Sequence, residues 1–412
     1  MADTSIGPGG TLTKSDYTTF LKEWYQGTTV ADLVFKKHPF LGIIPKNPGV
    51  RGLVYPKPIR YANITGQSAT YLTAHEQQSP AARDRWEVVH TDNYAKATVS
   101  NKAMELAEGE GAFRDALTDA VDSAHSAFAN DLHFELLARY AKGARAKVAS
   151  VAGAVLTLGS GEARFFEKGL RVQRSDVNQT ALDGAGEIQI VTAVDRANDK
   201  ITLDADFSSV SVATDFIYRA GDFALKADSL GAWLPGSAVT ATPFRGVVRT
   251  EDKTRLAGVD GVNGNGQTNP LTYAMVHTGA ALGTQEGSPT HILSSYMDHA
   301  KLADETEQRG RYAKVTSTDA SISYSALEIM TGAGAVPVVA DAAVADDTFF
   351  MIDTGTMEMY SAGGVPRLFN KDGNFYHREE TADSLAFYLF AFYGLVCWNP
   401  GGNSFNQKAY SA

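Results

Sequence analysis

A long amphipathic pattern, from about Gly111 to Lys142, constrains the fold of this chain more than any other feature. Its apolar residues recur at steps of three and four, which places them on one stripe of a helix: Phe113, Leu117, Val121, Ala124, Phe128, Leu132 and Leu136. At 1.5 Å per residue, an uninterrupted helix over this range would be roughly 45 to 50 Å long. Such a length is typical of a strut, and an ordinary core helix of an α/β enzyme is the alternative that the pattern leaves open.

Composition places the chain among globular proteins. Of its 412 residues, 44% are hydrophobic and 20% are charged, which suffices for roughly two or three domains with sizeable cores. No apolar run approaches the roughly 20 residues that a membrane span requires, and the first residues lack the basic and apolar regions of a signal peptide. We therefore expect a soluble chain made inside a cell, without a membrane partner.

The charge of the chain is unevenly distributed. A net charge of −10 argues against tight wrapping of nucleic acid, because neutralising phosphates requires clustered Lys and Arg. Residues 1–60 carry eight basic and four acidic side chains, so this part has a charge of +4 and the remainder −14. A basic arm and an acidic body could attract one another between copies of the chain, whereas a solvated surface without a partner is the plainer alternative.

Prolines dominate the end of the first 60 residues and force extended or turn conformations there: Pro39, Pro45, Pro48, Pro56 and Pro58. From Ile59 to about Val99 the pattern indicates a strand, a turn-rich tip and a second strand, with Thr70–Leu72 and Trp86–Val89 as strand pieces. This ribbon has too few apolar residues to form a core of its own. Because a two-stranded ribbon is marginal alone, it must lie on its own body or on an adjacent subunit.

A β-rich stretch follows the long helix, from about Lys147 to Asp222. Short β-like runs alternate there with Gly, Asn and Asp: Val155–Leu158, Leu170–Val172, Ile188–Val191, Ile201–Leu203 and Phe216–Tyr218. Asp195–Lys200 is predicted to be a hairpin loop between two of them. The stretch is therefore predicted to be a small β-sandwich or barrel inserted into the main fold.

From Phe223 onward, helices and strands mix. We predict a helix within Ser288–Gly310 that contains Ile292, Leu293, Tyr296 and Leu302. Three strongly apolar segments are predicted to be strands: Val336–Val339, Phe349–Ile352 and Tyr388–Val396. Asn399–Asn403 is predicted to be a turn followed by a loose tail.

Motifs for catalysis are missing from the sequence. It has no phosphate-binding loop, HExxH motif, nucleophile elbow or paired CxxC, and Gly332–Gly334 fits a turn better than a dinucleotide site. The single cysteine, Cys397, lies among apolar residues and is expected to be a buried, inert thiol. We predict no catalytic residue, no cofactor site and no metal site, so the chain is not expected to be an enzyme.

Histidines and acids also fail to form a metal-binding pattern. The pairs His125/His133 and His291/His299 are each eight residues apart, which on a helix means about 12 Å, too far to share one metal. The acidic pairs are expected to be solvated surface, because neighbouring side chains diverge and no third ligand accompanies them: Glu379–Glu380, Asp346–Asp347 and Asp204/Asp206.

Several segments occur in an order that resembles the major capsid proteins of tailed bacteriophages with the HK97-type fold. They are KKHPFLGIIPK (Lys36–Lys46), the extended loop, the helix in Gly109–Gly143, FRGVVRTEDKTRLAG (Phe244–Gly258), GAVPVVADAAV (Gly334–Val344) and MEMYSAGGVPRLFN (Met357–Asn370). The resemblance covers nearly the whole chain. Their order, spacing and total length carry it, since no single segment is diagnostic.

This resemblance implies an α+β fold of the HK97-like capsid type, with a small all-β insertion domain. Residues 1–56 would be the N-terminal arm, 57–104 the E-loop, 105–146 the P-domain spine helix, and 147–222 the β insertion. Residues 223–412 would supply the remaining P-domain sheet and the A-domain.

The same resemblance implies a coat protein that self-assembles through arm, E-loop and A-domain contacts into an icosahedral shell around double-stranded DNA. Its partners would be further copies in pentamers and hexamers, a scaffolding protein, a portal, a decoration or cement protein, and packaged DNA held by weak non-specific contact. It would be located in the virion after assembly in the host cytoplasm.

Two other functions stay open at this point. An encapsulin-like nanocompartment shell shares the fold and encloses enzymes. A β-rich carbohydrate-binding or hydrolysing virion protein would need an aromatic cleft, but Trp24, Trp86, Trp233 and Trp398 lie in segments too different to suggest one platform.

Covalent crosslinking between subunits, which some relatives achieve through an E-loop lysine, is not expected here. The loop has no lysine between Lys57 and Lys96. We therefore expect a shell that depends on noncovalent contacts.

Overall fold

The computed structural model describes residues 38–102, 116–177, 179–183, 186–207, 215–261, 270–309, 314–315, 326–369, 376–379 and 382–407. In this part the helices are α1 Pro39–Ile43, α2 Tyr71–Glu76, α3 Ala116–Leu137, α4 Leu230–Trp233, α5 Lys253–Ala257, α6 Leu271–Gly283 and α7 Tyr296–Arg309. Short 3₁₀ turns occupy Glu162–Phe165, Thr354–Thr356 and Pro400–Gly402.

The strands up to the end of the β-rich stretch are β1 Lys46–Asn47, β2 Val54–Arg60, β3 Arg83–Val89, β4 Thr91–Ser100, β5 Ala146–Ala152, β6 Val155–Leu158, β7 Arg171–Ser175, β8 Gln189–Asp195, β9 Lys200–Leu203 and β10 Phe216–Arg219. The later strands are β11 Val259–Asp260, β12 His291–Ser294, β13 Lys314–Val315, β14 Ala326–Thr331, β15 Gly334–Ala340, β16 Thr348–Ile352, β17 Met357–Ser361, β18 Arg367–Leu368, β19 His377–Arg378, β20 Ser384–Cys397 and β21 Ser404–Gln407.

The chain forms two compact units. Among the described residues, the smaller unit comprises 92–102, 116–132, 361–369, 376–379 and 382–392, and the larger unit comprises the others. In the smaller unit, β20 pairs antiparallel with β18 and β19 and also pairs with β4. The predicted strand Tyr388–Val396 is confirmed and lies within β20.

The long helix is shorter at its end than its sequence pattern predicts. Helix α3 ends at Leu137 rather than at Lys142, and a helix could not continue through Lys142 and Gly143, which adopt positive φ angles of 60° and 80°. Its described 22 residues span about 33 Å. The predicted residues 111–115 lie outside the described part. Phe128, Leu132 and Leu136 are buried, which confirms the apolar stripe over this range.

Two buried carboxylates fix the chain where α3 ends. Glu135 accepts hydrogen bonds from the Ala227 backbone N–H at 2.6 Å and from the Tyr393 hydroxyl at 2.7 Å, and Lys226 lies 3.4 Å away. Glu162, which is fully buried, accepts from the Tyr140 hydroxyl at 2.8 Å and from the Lys147 backbone N–H at 2.8 Å. Because a buried charge is costly unless it is paired and hydrogen bonded, these contacts fix the direction in which the chain leaves the helix.

The β-rich stretch closes into a barrel in the order β10-β5-β6-β9-β8-β7. All five predicted strands are present, and β5 at Ala146–Ala152 is an additional one. An apolar core fills the barrel, with Phe166, Val172, Val191, Ile201 and Ile217 fully buried. The predicted hairpin loop is confirmed at Asp195–Lys200, where the Asp195 carboxylate accepts from the Asn198 side chain at 2.7 Å and those hydrogen bonds lower its pKa.

A seven-stranded sheet forms the other main part of the larger unit, in the order β11-β21-β16-β12-β15-β14-β13. Helices α6 and α7 contribute Leu271, Met275 and Leu302 to its buried core. The predicted strands Val336–Val339 and Phe349–Ile352 are confirmed as β15 and β16. The start of α6 is capped by Glu305 of α7, which accepts from the backbone N–H of Leu271 at 2.9 Å.

Two sequence predictions in this sheet are wrong. Ile292 and Leu293 lie on β12, not on the following helix, which begins only at Tyr296. The predicted loose tail contains β21, which pairs with β16 and β11. Phe405 stacks on Phe350 with ring centroids 4.5 Å apart, so aromatic packing holds this mostly polar strand in the sheet.

Gly231 in α4 packs too closely for any side chain. A Cβ there would lie 2.7 Å from the Cα of Arg139, whereas a Cβ at Gly42 in α1 would have nothing within 4 Å. We predict that Gly231→Ala lowers the free energy of unfolding by about 1–3 kcal/mol, because backbone rather than a flexible side chain would have to move. Urea unfolding followed by circular dichroism measures this, with Gly42→Ala as the matched control. Equal midpoints for the two variants would contradict the prediction.

Candidate assembly surface

Strands β2 and β3 form a two-stranded antiparallel ribbon, in register from Val54 opposite Val89 to Arg60 opposite Arg83. The strand predicted around Trp86–Val89 is thereby confirmed. Proline has no N–H to donate, so Pro56 and Pro58 must direct their nitrogens away from β3. The outer edge of β2 therefore lacks two donors, and a further strand cannot extend the ribbon there. Contact with another chain has to use the faces or the tip of the ribbon.

Two buried tryptophans pack the base of the ribbon against the rest of the larger unit. Trp86 and Trp233 are fully buried, and their rings meet edge to face with centroids 5.2 Å apart. The Trp86 indole N–H donates to the backbone oxygen of Trp398 at 3.5 Å, and that of Trp233 donates to the oxygen of Leu395 at 3.2 Å. Aromatic burial with satisfied indole N–H groups is a strong anchor, so the base is fixed to its own body.

Lys57 and Tyr55 add a polar contact on the same strand. Both reach the Glu358 carboxylate, with the Tyr55 hydroxyl at 2.7 Å and the Lys57 ammonium at 3.4 Å. The Lys57 ammonium also lies over the Trp398 ring, 4.2 Å from its centroid. The one lysine of the ribbon is therefore occupied within its own chain.

The tip of the ribbon, residues 61–82, is exposed. Helix α2 lies there and buries none of its residues. Tyr71 is 88% exposed, Leu72 65% and Ile64 59%, which leaves three large apolar side chains facing solvent on one short protrusion. Apolar groups gathered on an exposed protrusion are typical of a contact surface. We call residues 61–82 the ribbon tip.

The strand predicted at Thr70–Leu72 is wrong, because these residues begin a helix. Thr70 caps α2, and its hydroxyl accepts from the backbone N–H of Thr73 at 3.4 Å. The Tyr71 and His75 rings are parallel, with centroids 6.4 Å apart, on successive turns of the helix. The signal that sequence analysis missed is this threonine cap ahead of two aromatic rings spaced by four residues.

A groove of about 570 Å³ borders the ribbon on the larger unit. Residues 58–63 line one side, and Arg255, Glu286 and Trp398 are among those that line the rest. The Arg255 guanidinium donates to the Tyr61 backbone oxygen at 2.6 Å, which fixes the point where β2 passes into the tip.

Cys397 is fully buried, as its apolar neighbours predict. Burial raises the pKa of its thiol to about 12, so the thiolate is scarce at neutral pH. The Asn403 side-chain amide lies 3.6 Å from its sulfur.

The histidines and acids of the sequence analysis are scattered through the described residues. His291 lies on a strand rather than a helix, and His133 is buried 2.6 Å from Asp341. Within the described ranges there is no group of three or more His, Cys, Asp or Glu that could hold a metal ion.

The acidic pairs are not all solvated surface, contrary to expectation. Asp346 pairs with Arg164 at 2.9 Å, and Asp347 pairs with Lys301 at 2.8 Å. Glu379 pairs with Lys96 in the smaller unit, while Glu380 lies outside the described residues. Asp204 accepts from the Ile190 backbone N–H at 2.8 Å. These acids hold neighbouring segments together.

The tryptophans come together more than their sequence positions suggest. At the ribbon base, Trp86 contacts the Trp233 ring and the backbone oxygen of Trp398, whereas Trp24 lies outside the described part. Since Trp86 and Trp233 are fully buried, they cannot stack on a sugar. In the part of the chain that the structure describes, no helix is long and apolar enough to cross a membrane.

Solved capsid structures match this chain along nearly its whole length. One is the cyanophage A-1(L) capsid asymmetric unit, 13% identical with a TM-score of 0.55, covering 97% of this chain and 100% of that chain. Another is the capsid of the native GTA particle, which is 9% identical with a TM-score of 0.51. The match covers 93% of this chain and 95% of that chain. The chain therefore has the mixed α/β fold of these phage capsid subunits, which confirms the resemblance at the level of fold.

A third structural match is the SrpI encapsulin complex from Synechococcus elongatus PCC 7942. It is 8% identical with a TM-score of 0.46 and covers 93% of this chain and 95% of that chain. No protein-family model and no curated protein sequence matches the chain.

Thiol chemistry tests the state of Cys397. We predict that the folded protein does not react with an aromatic disulfide reagent at pH 8, because the thiol is buried and protonated. One thiol per chain becomes reactive in urea. Absorbance of the released thiolate measures both states, and rapid labelling of the folded protein would contradict the burial.

Proposed function

We propose that this chain is the major capsid protein of a tailed bacteriophage, built on the HK97-type fold. The observation that carries the proposal is the match to capsid subunits along nearly all of this chain and nearly all of theirs. The exposed ribbon tip supports the same function, because a lone chain gains nothing from apolar groups held in solvent.

The proposed division of the chain follows the family. Residues 1–56 are the N-terminal arm, 57–104 the E-loop, 105–146 the P-domain spine helix, and 147–222 the insertion domain. Residues 223–412 supply the remaining P-domain sheet and the A-domain. The ribbon apart from Val54–Pro56, together with its tip, falls in the proposed E-loop, and the closed barrel apart from Ala146 falls in the proposed insertion domain.

In this proposal, function resides in contacts between copies. The ribbon tip docks its apolar side chains on a neighbouring subunit, and A-domain contacts close pentamers and hexamers by repeated heterologous contacts. Each contact is modest, and the shell gains its stability from their number. Scaffolding, portal and decoration or cement proteins complete the particle, which is a virion assembled in the host cytoplasm. A net charge of −10 fits weak, non-specific contact with the enclosed DNA.

Removing the apolar groups of the ribbon tip tests this proposal. Tyr71→Ser combined with Leu72→Ser should leave the subunit folded, because both side chains are exposed. Full burial of such a side chain contributes about 1.5–3 kcal/mol, so each docked tip should lose at least tenfold in affinity. We expect no closed shells by negative-stain microscopy, with circular dichroism unchanged.

Leu225→Ser is the matched control, because Leu225 is 70% exposed and lies outside the ribbon. It should assemble as the unchanged chain does. Normal shells from the double variant would contradict a docking role for the tip.

Particles should contain no covalent links between subunits. The ribbon carries only Lys57, which is engaged with Glu358 and Trp398 of its own chain. We predict that boiling assembled particles in detergent releases only monomers. A ladder of covalent oligomers on the gel would overturn this prediction.

A further inference from the structure

Two histidines and an aspartate meet inside the larger unit. His38 precedes α1, His133 lies on α3, and Asp341 follows β15, so three distant parts of the sequence contribute one residue each. The His133 Nε2 lies 2.6 Å from the Asp341 Oδ1. The rings of His38 and His133 are 4.9 Å apart between centroids. His133 and Asp341 are 1% and 0% exposed, and His38 is half-buried.

The Asp341 carboxyl group accepts hydrogen bonds from two backbone N–H groups and faces His133. Its Oδ2 accepts from the backbone N–H of Phe40 at 3.2 Å, and its Oδ1 accepts from that of Ala343 at 2.8 Å. With the His133 Nε2–H, three donors converge on the two oxygens, so the carboxyl group ties His133, the start of α1 and the loop after β15 together.

Each of the two histidines has one buried ring nitrogen that lacks a hydrogen-bond partner. The Nδ1 atoms of His38 and His133 are buried, and neither has a hydrogen-bond partner. A neutral imidazole tolerates this as an unpaired acceptor, whereas protonation would create a buried N–H donor without an acceptor. Burial, and next the nearby His133, lower the pKa of His38, against a smaller opposing effect of Asp341.

The other charged groups of the packed elements are already paired. On the loop after β15, Asp346 pairs with Arg164 and Asp347 with Lys301. On α3 itself, Glu135 pairs with Lys226 at 3.4 Å. His133 and Asp341 are the charged groups that act on His38 among the described residues.

We propose that His38, His133 and Asp341 form an acid-released anchor for the segment His38–Ile44. Phe40 is fully buried and donates its backbone N–H to Asp341, so the cluster and the segment are held together. As the pH falls, protonation of His38 creates a buried N–H donor without a partner beside the His133 ring. The segment His38–Ile44 then leaves the body of the larger unit. The inference goes beyond the proposed function and applies to the isolated chain.

The direction of the pH effect follows from linkage. In the released segment His38 has the ordinary imidazole pKa near 6.5, and in the anchored state its pKa is lower. The released state therefore binds more protons as the pH falls below about 6.5. The segment is fully anchored above that pH. Below it, the equilibrium constant for anchoring falls by up to about tenfold per pH unit for each extra proton that the released state binds.

A spin label at Gly42 reports the state of the segment. A Cβ at Gly42 has open space around it, and Cys397 is buried, so Gly42→Cys gives one reactive site on the full chain. We expect an immobile nitroxide at pH 8 and a growing mobile fraction between pH 6.5 and pH 5. In a Gly42→Cys chain that also carries His38→Phe, which keeps an aromatic ring and removes the titration, the label should stay immobile over this range.

Three further variants make the result decisive. His299→Phe removes another half-buried histidine and should keep the acid response. Asp341→Asn should give a mobile label at every pH, and His38→Gln replaces His38→Phe should that variant not fold. A label that stays immobile to pH 5, or that is released equally with and without His38, overturns the proposal. Circular dichroism at each pH separates release from global unfolding.

Discussion

The burial of Trp86 against Trp233 is the interaction on which the functional account depends. It fixes the base of the ribbon to its own body, with both indole N–H groups satisfied by backbone oxygens. A ribbon of two strands is only marginally stable alone, so the buried tryptophan pair stabilises it at its base while the tip stays exposed to solvent. Tyr71 and Leu72 are exposed because the base, and not the tip, carries the packing.

Two further constraints direct how the ribbon can be used. Pro56 and Pro58 remove donors from the outer edge of β2, so the ribbon resists uncontrolled strand pairing between chains. The buried carboxylates of Glu135 and Glu162 hold the exit from α3 by hydrogen bonds from hydroxyl and backbone groups. Rigid attachment within the chain and a free apolar tip are the combination expected of a subunit that works through its neighbours.

Local patterns predicted much of this fold, and long-range contacts account for most of what they missed. The barrel strands and the Asp195–Lys200 loop follow from alternation and turn residues that lie close in sequence. The spacing of Ile292 and Leu293 continues that of α7 and therefore predicts a helix. In the structure both residues pair with β16 and form a strand. His133 and Asp341 are 208 positions apart, so no local pattern brings them together. The residue types of Thr70–Leu72 favour a strand, but the Thr70 hydroxyl caps the backbone N–H of Thr73 and starts a helix there.

Electron microscopy of the chain expressed alone, and separately with its neighbouring genes, shows whether copies of the chain assemble with one another. We expect icosahedral shells, or tubes and capsomer rings where a scaffold is lacking, with DNA rather than enzyme cargo inside the particles from the complete set of genes. A strictly monomeric product in both preparations would contradict a function that resides in contacts between copies. Closed shells filled with a folded enzyme would instead identify a nanocompartment and contradict the capsid assignment.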